Sequence, residues 1–600
     1  MIQERLSKLR AAMRNAEIDC YIIPTSDYHN SEYVSEYFMV RKYFSGFTGS
    51  AGTLAVLQDK AALFTDGRYF IQAAKELEGS GITLMKMGEP GVPALSEYVE
   101  QELKEGQNLG FDGRVITAGE GLAYEKIAEK KKGRVIWNQD LAEGIWEERP
   151  ELAFTPVFVL EECCSGESTE SKLKRLREKM KEEKAQIHIL TTLDDIAWLF
   201  NLRADDVESC PVLLSYAVIT REEAYLFAGE SAFDEKVRAY LGANNITLKP
   251  YDDFYTYVAE TVKKEPELKL LVCEKRINYR LKKEIGDSVQ VIDKANPTTL
   301  MKAVKNAVEQ ENLRKAHLMD GIAVTKFMFW LKKNVGKIPM TEISAAEYLE
   351  SLRAQNPSFI ELSFPTICAY GANGAIIHYS ATPENFSEIQ AKGMLMVDSG
   401  GHYYEGSTDI TRTFILGEIT EEMKQHFTLT ARAMLRLKSA KFLEGCKGIN
   451  LDILARGVFW EKGLDYKHGT GHGVGYLLNV HEGPNSFRHK PLAGSDENWA
   501  FEEGMVTTDE PGIYIEGSHG VRIENELLCR KDENNEFGQF MCFEDLTYVP
   551  IDLDGIDASA MEESEKRTLN LYHKFVFEKL APFFEGEELD FLKKATREII

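Results

Sequence analysis

The amino-acid sequence predicts a multidomain chain of mixed α/β and α+β class. Three observations carry this. The 600 residues exceed what one hydrophobic core organises, so two to four domains are expected. Strands and helices alternate from the N-terminus, and a partial echo of the same order follows a change of composition near residues 147–170. Past residue 300 an amphipathic helical stretch gives way to strands separated by glycine-rich turns.

An apolar share of 44 % with 10 % aromatic residues is that of an ordinary globular protein. A formal net charge of −25 weighs against nucleic acid or an anionic membrane as partner. The nine cysteines are odd in number and form no Cys-x-x-Cys, which supports neither a disulfide framework nor a zinc knuckle. Met1 to Arg10 is a charged helix start without an apolar signal core. No run approaches the roughly 18 apolar residues of a membrane span. The expected setting is a reduced cytoplasm.

Residues 1–20 read as a helix with Leu6, Leu9, Met13 and Ile18 near one face. Cys20–Pro24 reads as a strand, Phe44–Gly52 as a glycine-rich turn, and Thr53–Leu57 and Ala61–Thr65 as strands. Asp66–Phe70 opens an alanine-rich helix. The turn lacks a Walker lysine and an ordered G-x-G-x-x-G, which weighs against a nucleotide cradle. Glu147–Pro150, Pro156 and Cys163–Thr169 mark a linker, followed by a charged helix near 170–184 and a strand at Ile187–Leu190. Next come Asp194 and Asp195, an aromatic stretch, Asn201–Arg203, and strands at Val212–Ile219 and Ala224–Phe227. This repeats the earlier order of strand, Asp27, Phe44–Gly52 and two strands, and predicts a duplicated α/β domain.

A boundary falls near 293–300, where Pro297, Thr298 and Thr299 suit a helix start. Leu300–Lys333 is amphipathic through Val304, Val308, Leu313, Met319, Ile322 and Phe327, which fits one long helix or a bent pair. A second helix spans Thr341–Gln355, with Thr341 at its N-cap. Phe364–Tyr370 reads as a strand, and Ile376–Tyr379 follows a Gly-Ala-Asn-Gly turn. The C-terminus is helical near 561–582 and 586–598.

The chemistry concentrates between Met394 and Glu524. Met394–Asp398 is an apolar run ending in an aspartate. Ser399–Gly401 reads as a turn and Tyr403–Leu416 as a returning strand, so Asp398 and Asp409 are expected to face each other across a hairpin. His472 lies in His468-Gly-Thr-Gly-His472-Gly-Val-Gly475. Glu510 heads Glu-Pro-Gly-Ile-Tyr514, and Glu524 falls in the strand-like Val521–Leu528. Four carboxylates and one imidazole, without thiolate, suit hard or borderline divalent ions: Mn²⁺ first, with Co²⁺, Fe²⁺ or Zn²⁺ open. Four clustered carboxylates alone would repel, and some would protonate. Two dications cancel the charge and leave room for a bridging hydroxide.

These local contexts resemble those of the pita-bread metallopeptidases, the superfamily of methionine aminopeptidase, prolidase, aminopeptidase P and creatinase. Further motifs narrow the resemblance: Phe44–Gly52, Thr65–Phe70, Gly374–Tyr379, His468–His472, His481-Glu-Gly-Pro484 and Leu546–Pro550 are similar to the three-domain aminopeptidase P family over nearly the whole length. That resemblance implies a creatinase-like N-terminal domain at 1–155 and a second at 160–296. It places a pita-bread catalytic domain at 299–540 and its C-terminal extension at 541–600. It further implies two Mn²⁺ ions, a homodimer, and removal of the N-terminal residue from peptides with proline in second position.

Carried over residue by residue, the resemblance gives Asp398 and Asp409 to one metal and His472 and Glu510 to the other, with Asp409 and Glu524 bridging. A hydroxide between the metals would attack the scissile carbonyl. His481 would help stabilise the oxyanion, His378 and His468 would steady the substrate and pass protons, and Glu510 would shuttle a proton to the leaving nitrogen. Arg522 would orient Tyr514 or the substrate's far carbonyl, or form a structural salt bridge. Phe364, Ile377, His378, His468, Val480 and His481 would line the proline pocket. His402, His426, His489 and His519 match nothing in the family and are expected at the surface. Prolidase shares the five ligands but cuts dipeptides. A metal-free peptide-binding module of the same fold, or creatinase, would lack the ligand set. Methionine aminopeptidase would lack the paired N-terminal domains.

Overall fold

The computed structural model describes residues 2–490 and 499–600. The chain forms two compact units. The first takes the chain up to Leu160 together with Glu167–Thr298; the second takes Glu161–Gly166 together with Thr299–Ile600.

The first unit contains two six-stranded sheets. Edge to edge, one runs Thr83–Lys86, Ala61–Thr65, Thr53–Leu57, Cys20–Pro24, Leu109–Gly110 and Val135–Ile136. The other runs Ile246–Pro250, Ala224–Ala228, Ser215–Thr220, Ile187–Leu190, Lys269–Val272 and Gln290–Asp293. Order and direction are the same in both: two antiparallel pairings at the centre, flanked by parallel ones. The predicted duplication is therefore a repeated topology. In the first sheet, alternation sends Tyr21 and Ile23 to one face, with Leu6, Leu9 and Met13 of the helix Ile2–Asn15, and Cys20 and Ile22 to the other, with Val99, Leu103 and Tyr124. Both faces are covered, which explains the near-continuous apolar strands.

Three expectations in this unit shift. The helix read from Asp66 begins at Phe70 and ends at Glu76, because Asp66 turns back and its Oδ1 accepts from Arg68 Nε at 2.9 Å. The glycine-rich turn gives Phe44 and Ser45 to a short helix, Val40–Ser45, and its carbonyls close on Arg41, whose guanidinium donates to Phe47 O at 2.8 Å and to Gly49 O. Within the expected linker near 147–170, Phe158–Val159 forms a short strand that pairs antiparallel with Leu202–Arg203.

Of the two readings for residues 300–333, the bent pair holds: helices span Pro297–Ala303 and Ala307–Asn334. The break is a capping box. Asn306 Oδ1 accepts from the Val308 and Glu309 N–H groups, and the Glu309 carboxylate accepts from Asn306 N at 2.9 Å. Thr341 caps the helix Glu342–Arg353 as expected.

The strands that carry the candidate ligands fall into separate sheets. Met394–Ser399 lies between Ile367–Tyr370 and Ile410–Ile415, antiparallel to both, with Asp398 opposite Thr411. The single returning strand expected at 403–416 is broken. Gly401–Tyr403 and Gly406–Ser407 pair with each other in another small sheet, and the ladder resumes only at Ile410. Backbone and side chains both hold it there: Thr408 N donates to Gly401 O at 3.0 Å, Thr408 Oγ1 accepts from Gly401 N at 2.9 Å, and Ser363 Oγ donates to Thr408 O at 2.8 Å. A six-stranded sheet runs Phe442–Leu443, Gly538–Asp545, Asn525–Asn535, Val506–Asp509, Gly471–Gly473 and Glu482–Phe487. The strand expected at 521–528 is also two. His519–Arg522 pairs with Gly512–Ile515, Asn525–Asn535 pairs with Val506–Asp509, and Glu524 sits in the crossing between them. The C-terminal helices span Glu563–Leu580 and Gly586–Ala595. Among the described residues no helix is long and apolar enough to cross a membrane.

Candidate metal centre

Five side chains converge from these pieces. Asp398 and Asp409 come from the broken hairpin, and Glu524 from the crossing. Glu510 follows the strand Val506–Asp509, and His472 lies within Gly471–Gly473. One ligand atom each of Asp409, His472 and Glu524 lies within 4.8 Å of the others. His472 Nε2 is 3.5 Å from Asp409 Oδ2 and 3.6 Å from Glu510 Oε1. His472 Nδ1–H donates to Gly473 O at 2.9 Å, which fixes the tautomer and leaves Nε2 for a cation.

The backbone allows this approach only where side chains are absent. A Cβ on Gly471 would stand 2.0 Å from Thr508 O, so the histidine strand can lie against its neighbour only with glycine there. Gly520 and Gly374 meet likewise: a Cβ on Gly520 would be 1.7 Å from Gly374 O. That contact brings the His378 loop against the strand carrying Arg522.

The electrostatics are those of an anion cluster. Burial pushes Glu524 well above the usual carboxylate range, and Asp409, Asp398 and Glu510 add to the effect. Burial also raises Asp398 and Glu510. Arg522 opposes the rise at both, and Asp409 reinforces it. Burial works to lower His472, but Asp409 and Glu510 outweigh it and raise it to about 9. Asp398 Oδ1 is buried without a hydrogen-bond partner among the described residues. A buried carboxylate with one free oxygen, beside three other acids and one free imidazole nitrogen, fits divalent cations.

Arg522 links the candidate ligand Asp398 to its surroundings. Its Nη2 donates to Asp398 Oδ2 at 2.5 Å and to Ile377 O at 3.3 Å, and its Nη1 to Tyr514 Oη at 2.7 Å. Tyr514 in turn lies 2.8 Å from His468 Nε2. Burial, aided by the Arg522 charge, holds the His468 pKa well below its ordinary value. The neutral ring donates Nδ1–H to Gly469 O at 2.7 Å and accepts the Tyr514 hydroxyl proton at Nε2. The His481 ring stands edge-on to His472, centroids 4.4 Å apart. His378 is half-buried, one residue past the carbonyl that Arg522 holds. Phe364, Ile377 and Val480 are buried.

Three of the histidines expected at the surface are not there. His402, His426 and His519 are buried, and His489 is half-buried. Each buried ring has a polar partner, which lets an imidazole leave water. His402 Nδ1 lies 2.8 Å from Ser407 Oγ, His426 Nδ1 lies 2.8 Å from His519 Nε2, and His519 Nδ1 lies 2.8 Å from Ser518 Oγ.

Other residues here went unread in the sequence. Thr411 Oγ1 donates to Glu524 Oε2 at 2.7 Å. It lies two residues past Asp409, and strand alternation was the signal for it. Arg456, fully buried, donates to Tyr466 O, to His468 O and to Asp452 Oδ2, and Asp452 Oδ1 accepts from Thr470 Oγ1 at 2.6 Å. Together they clamp the loop that carries His468 and His472. Their signal was an Asp-to-Arg spacing of one helical turn just ahead of the glycine-rich run.

Comparison with known proteins shows the family. A metallopeptidase family M24 model matches residues 311–531, and the model for the C-terminal region of that family matches 539–599. Two creatinase/prolidase N-terminal domain models match 5–136 and 148–309. A probable Xaa-Pro aminopeptidase P from Pyricularia oryzae is 39 % identical over 604 residues, covering 98 % of this chain and 97 % of that one. One from Tuber melanosporum is 39 % identical over 619 residues, covering 99 % of each. The crystal structure of X-prolyl aminopeptidase from Caenorhabditis elegans, described as a cytosolic enzyme with a di-nuclear active site, superposes with a TM-score of 0.95 at 33 % identity, covering 100 % of both chains. With two creatinase-type N-terminal domains, a pita-bread M24 domain and its C-terminal region, the chain belongs to the Xaa-Pro aminopeptidase P family of metallopeptidases.

Proposed function

We propose that the chain is a metal-dependent aminopeptidase that removes the N-terminal residue from peptides with proline in second position, using two divalent ions, Mn²⁺ foremost. The observation that carries this is the meeting of Asp409, His472 and Glu524 ligand atoms within 4.8 Å, with Glu510 Oε1 3.6 Å from His472 Nε2 and Asp398 Oδ1 buried without a hydrogen-bond partner among the described residues. Asp398 and Asp409 would hold one ion and His472 and Glu510 the other, with Asp409 and Glu524 shared between them. Bound there, two such ions lower the pKa of a water and polarise the scissile carbonyl.

The chain's own residues do the rest. Arg522 fixes Asp398 and Tyr514 in one geometry. His468 is engaged at both ring nitrogens, so it reaches a substrate through Tyr514. His481, edge-on to His472, is placed to donate to the developing oxyanion. His378 steadies the substrate backbone. Glu510 is the residue to shuttle a proton to the departing proline nitrogen. Phe364, Ile377 and Val480 form an apolar wall for a ring that has no N–H to satisfy.

The enzyme works as a cytosolic homodimer in this reading. Supporting the dimer, the helix Ile453–Trp460 leaves Ile453, Leu454 and Trp460 exposed at 48, 38 and 44 %. Sedimentation at the 67.9 kDa of one chain at all workable concentrations rejects it. Mn²⁺-dependent release of arginine from Arg-Pro-Pro, with little hydrolysis of Gly-Pro, is the expected activity. The reverse preference would make the chain a prolidase, and neither activity would favour a peptide-binding module.

A further inference from the structure

Alternation along the strand Met394–Ser399 gives its two faces different work. Leu395 and Val397 share one apolar cluster with Val324 and Phe327 of the helix Ala307–Asn334 and Leu349 of the helix Glu342–Arg353. Asp398 points to the opposite face, where Arg522 meets it. Ser399 returns to the helix side and is 1 % exposed. A guanidinium meets it there. Arg353, the last residue of its helix, donates from Nη2 to Ser399 Oγ at 3.0 Å. The same group pairs with Asp320 on the neighbouring helix, Nε to Oδ1 at 2.5 Å and Nη2 to Oδ2 at 3.2 Å, and both side chains have 0 % exposure. Asp320 Oδ1 also accepts the Tyr403 hydroxyl proton at 2.9 Å.

Ser399 occupies a particular place in the hairpin. It directly follows Asp398, and its ladder partner Ile410 directly follows Asp409. One rung therefore lies beside both aspartates. A buried ion pair is costly to desolvate, and apolar side chains often replace one without loss of stability. What a planar guanidinium adds is direction, because its donors are fixed relative to one another. Here they tie that rung to two helices that carry none of the five candidate ligands.

We propose that Arg353, oriented by Asp320, is a positioning residue for Asp398 and Asp409, acting through the Ser399 hydroxyl from the back of the sheet. The inference rests on the metal-centre reading above. Groups that orient ligands from behind change metal affinity by about 10- to 100-fold when removed.

The test uses the full chain and Mn²⁺ itself. Wild type, Ser399→Ala, Arg353→Lys and Tyr403→Phe are stripped with a chelator and titrated with Mn²⁺, and the melting temperature of each metal-free form is recorded. Ser399→Ala removes only the acceptor on the rung. Arg353→Lys keeps a charge for Asp320 but not a fork that also reaches Ser399. Tyr403→Phe takes a hydrogen bond from the same Asp320 and leaves the Arg353–Ser399 contact in place, so it reports the loss of stability alone. The expected result is two Mn²⁺ per chain, bound equally well, in wild type and Tyr403→Phe. Ser399→Ala and Arg353→Lys should bind at least one of the two ions roughly tenfold or more weakly, whatever their metal-free melting temperatures. Wild-type affinity for both ions in either of these variants overturns the proposal. Equal weakening in Tyr403→Phe makes the cluster merely structural and overturns it too. If Arg353→Lys does not fold, Ser399→Ala against Tyr403→Phe decides, and equal Mn²⁺ affinity in the two overturns it. A wild-type protein that takes up fewer than two Mn²⁺ overturns the metal-centre reading, and the inference with it.

Discussion

Arg522 and Asp398 form a buried ion pair, Nη2 to Oδ2 at 2.5 Å, with side chains 2 % and 11 % exposed. The same guanidinium reaches Tyr514 through Nη1, so one planar fork fixes the Asp398 carboxylate and a hydroxyl together. Lysine keeps the charge but offers a point donor that cannot serve both. Arg522→Lys should therefore keep most of the metal and lose the Tyr514 contact. A hydrogen bond to a charged group is worth about 1.5–3 kcal/mol, so kcat/KM should fall by roughly tenfold to 150-fold. Steady-state kinetics beside metal analysis checks this; unchanged kinetics would remove Arg522 from the working geometry.

Asp409→Asn and Glu524→Gln each take one charge from the two carboxylates proposed to be shared between the ions. Both variants should retain fewer than two equivalents of Mn²⁺ after dialysis and lose turnover. Two retained equivalents with normal turnover would end the bridging assignment.

How far the sequence foretold this follows from what each signal encodes. The strands Cys20–Pro24, Thr53–Leu57 and Ala61–Thr65 were legible because continuous β-branched and apolar runs are bounded by turn residues. The five candidate ligands were legible because local motifs surround each one. The breaks at Asp409 and Glu524 were not, since each is set by hydrogen bonds that only the fold assembles, such as Glu524 N to Thr411 O at 3.0 Å and Gly401 N to Thr408 Oγ1 at 2.9 Å. His402, His426 and His519 misled for a related reason. Their burial rests on partners, Ser407 and each other, that only the fold brings near. Arg522 was visible as a neighbour of Glu524, but its true partner, Asp398, is 124 positions away.

A second histidine effect concerns acid stability. His573 accepts the Ile551 N–H at Nε2 at 3.0 Å, and burial holds its pKa near about 3, below the ordinary 6.5. Burial likewise holds His188 at about 4. A histidine that folds neutral contributes fully above pH 6.5. Its contribution is lost as pH falls, by about 1.4 kcal/mol per pH unit for each group, until the folded value is reached. His573→Gln keeps an acceptor for Ile551 but does not titrate. The difference in unfolding free energy between wild type and this variant should shrink by about that slope between pH 6 and 5. A pH-independent difference would show that His573 does not bind a proton on unfolding.

Proline selectivity gives the last prediction. Ile377, through its carbonyl, is tied to Arg522 Nη2 at 3.3 Å, so this side chain is registered to the Asp398 end of the centre. Phe364 and Ile377 are each 8 % exposed and Val480 1 %. That burial suits both a pocket wall and ordinary core, and kinetics separates the two. A wall discriminates by shape and by offering no acceptor for an N–H. Val480→Ala or Phe364→Ala should then lower kcat/KM for Xaa-Pro peptides more than for Xaa-Ala peptides. One lost apolar contact is worth about 1–3 kcal/mol, so their ratio should narrow by roughly tenfold to 200-fold. A core residue instead costs stability through the cavity it leaves, with the ratio unmoved. A lower melting temperature with an unchanged Pro/Ala ratio would take these residues out of the pocket, leaving His378 and His481 to carry selectivity alone.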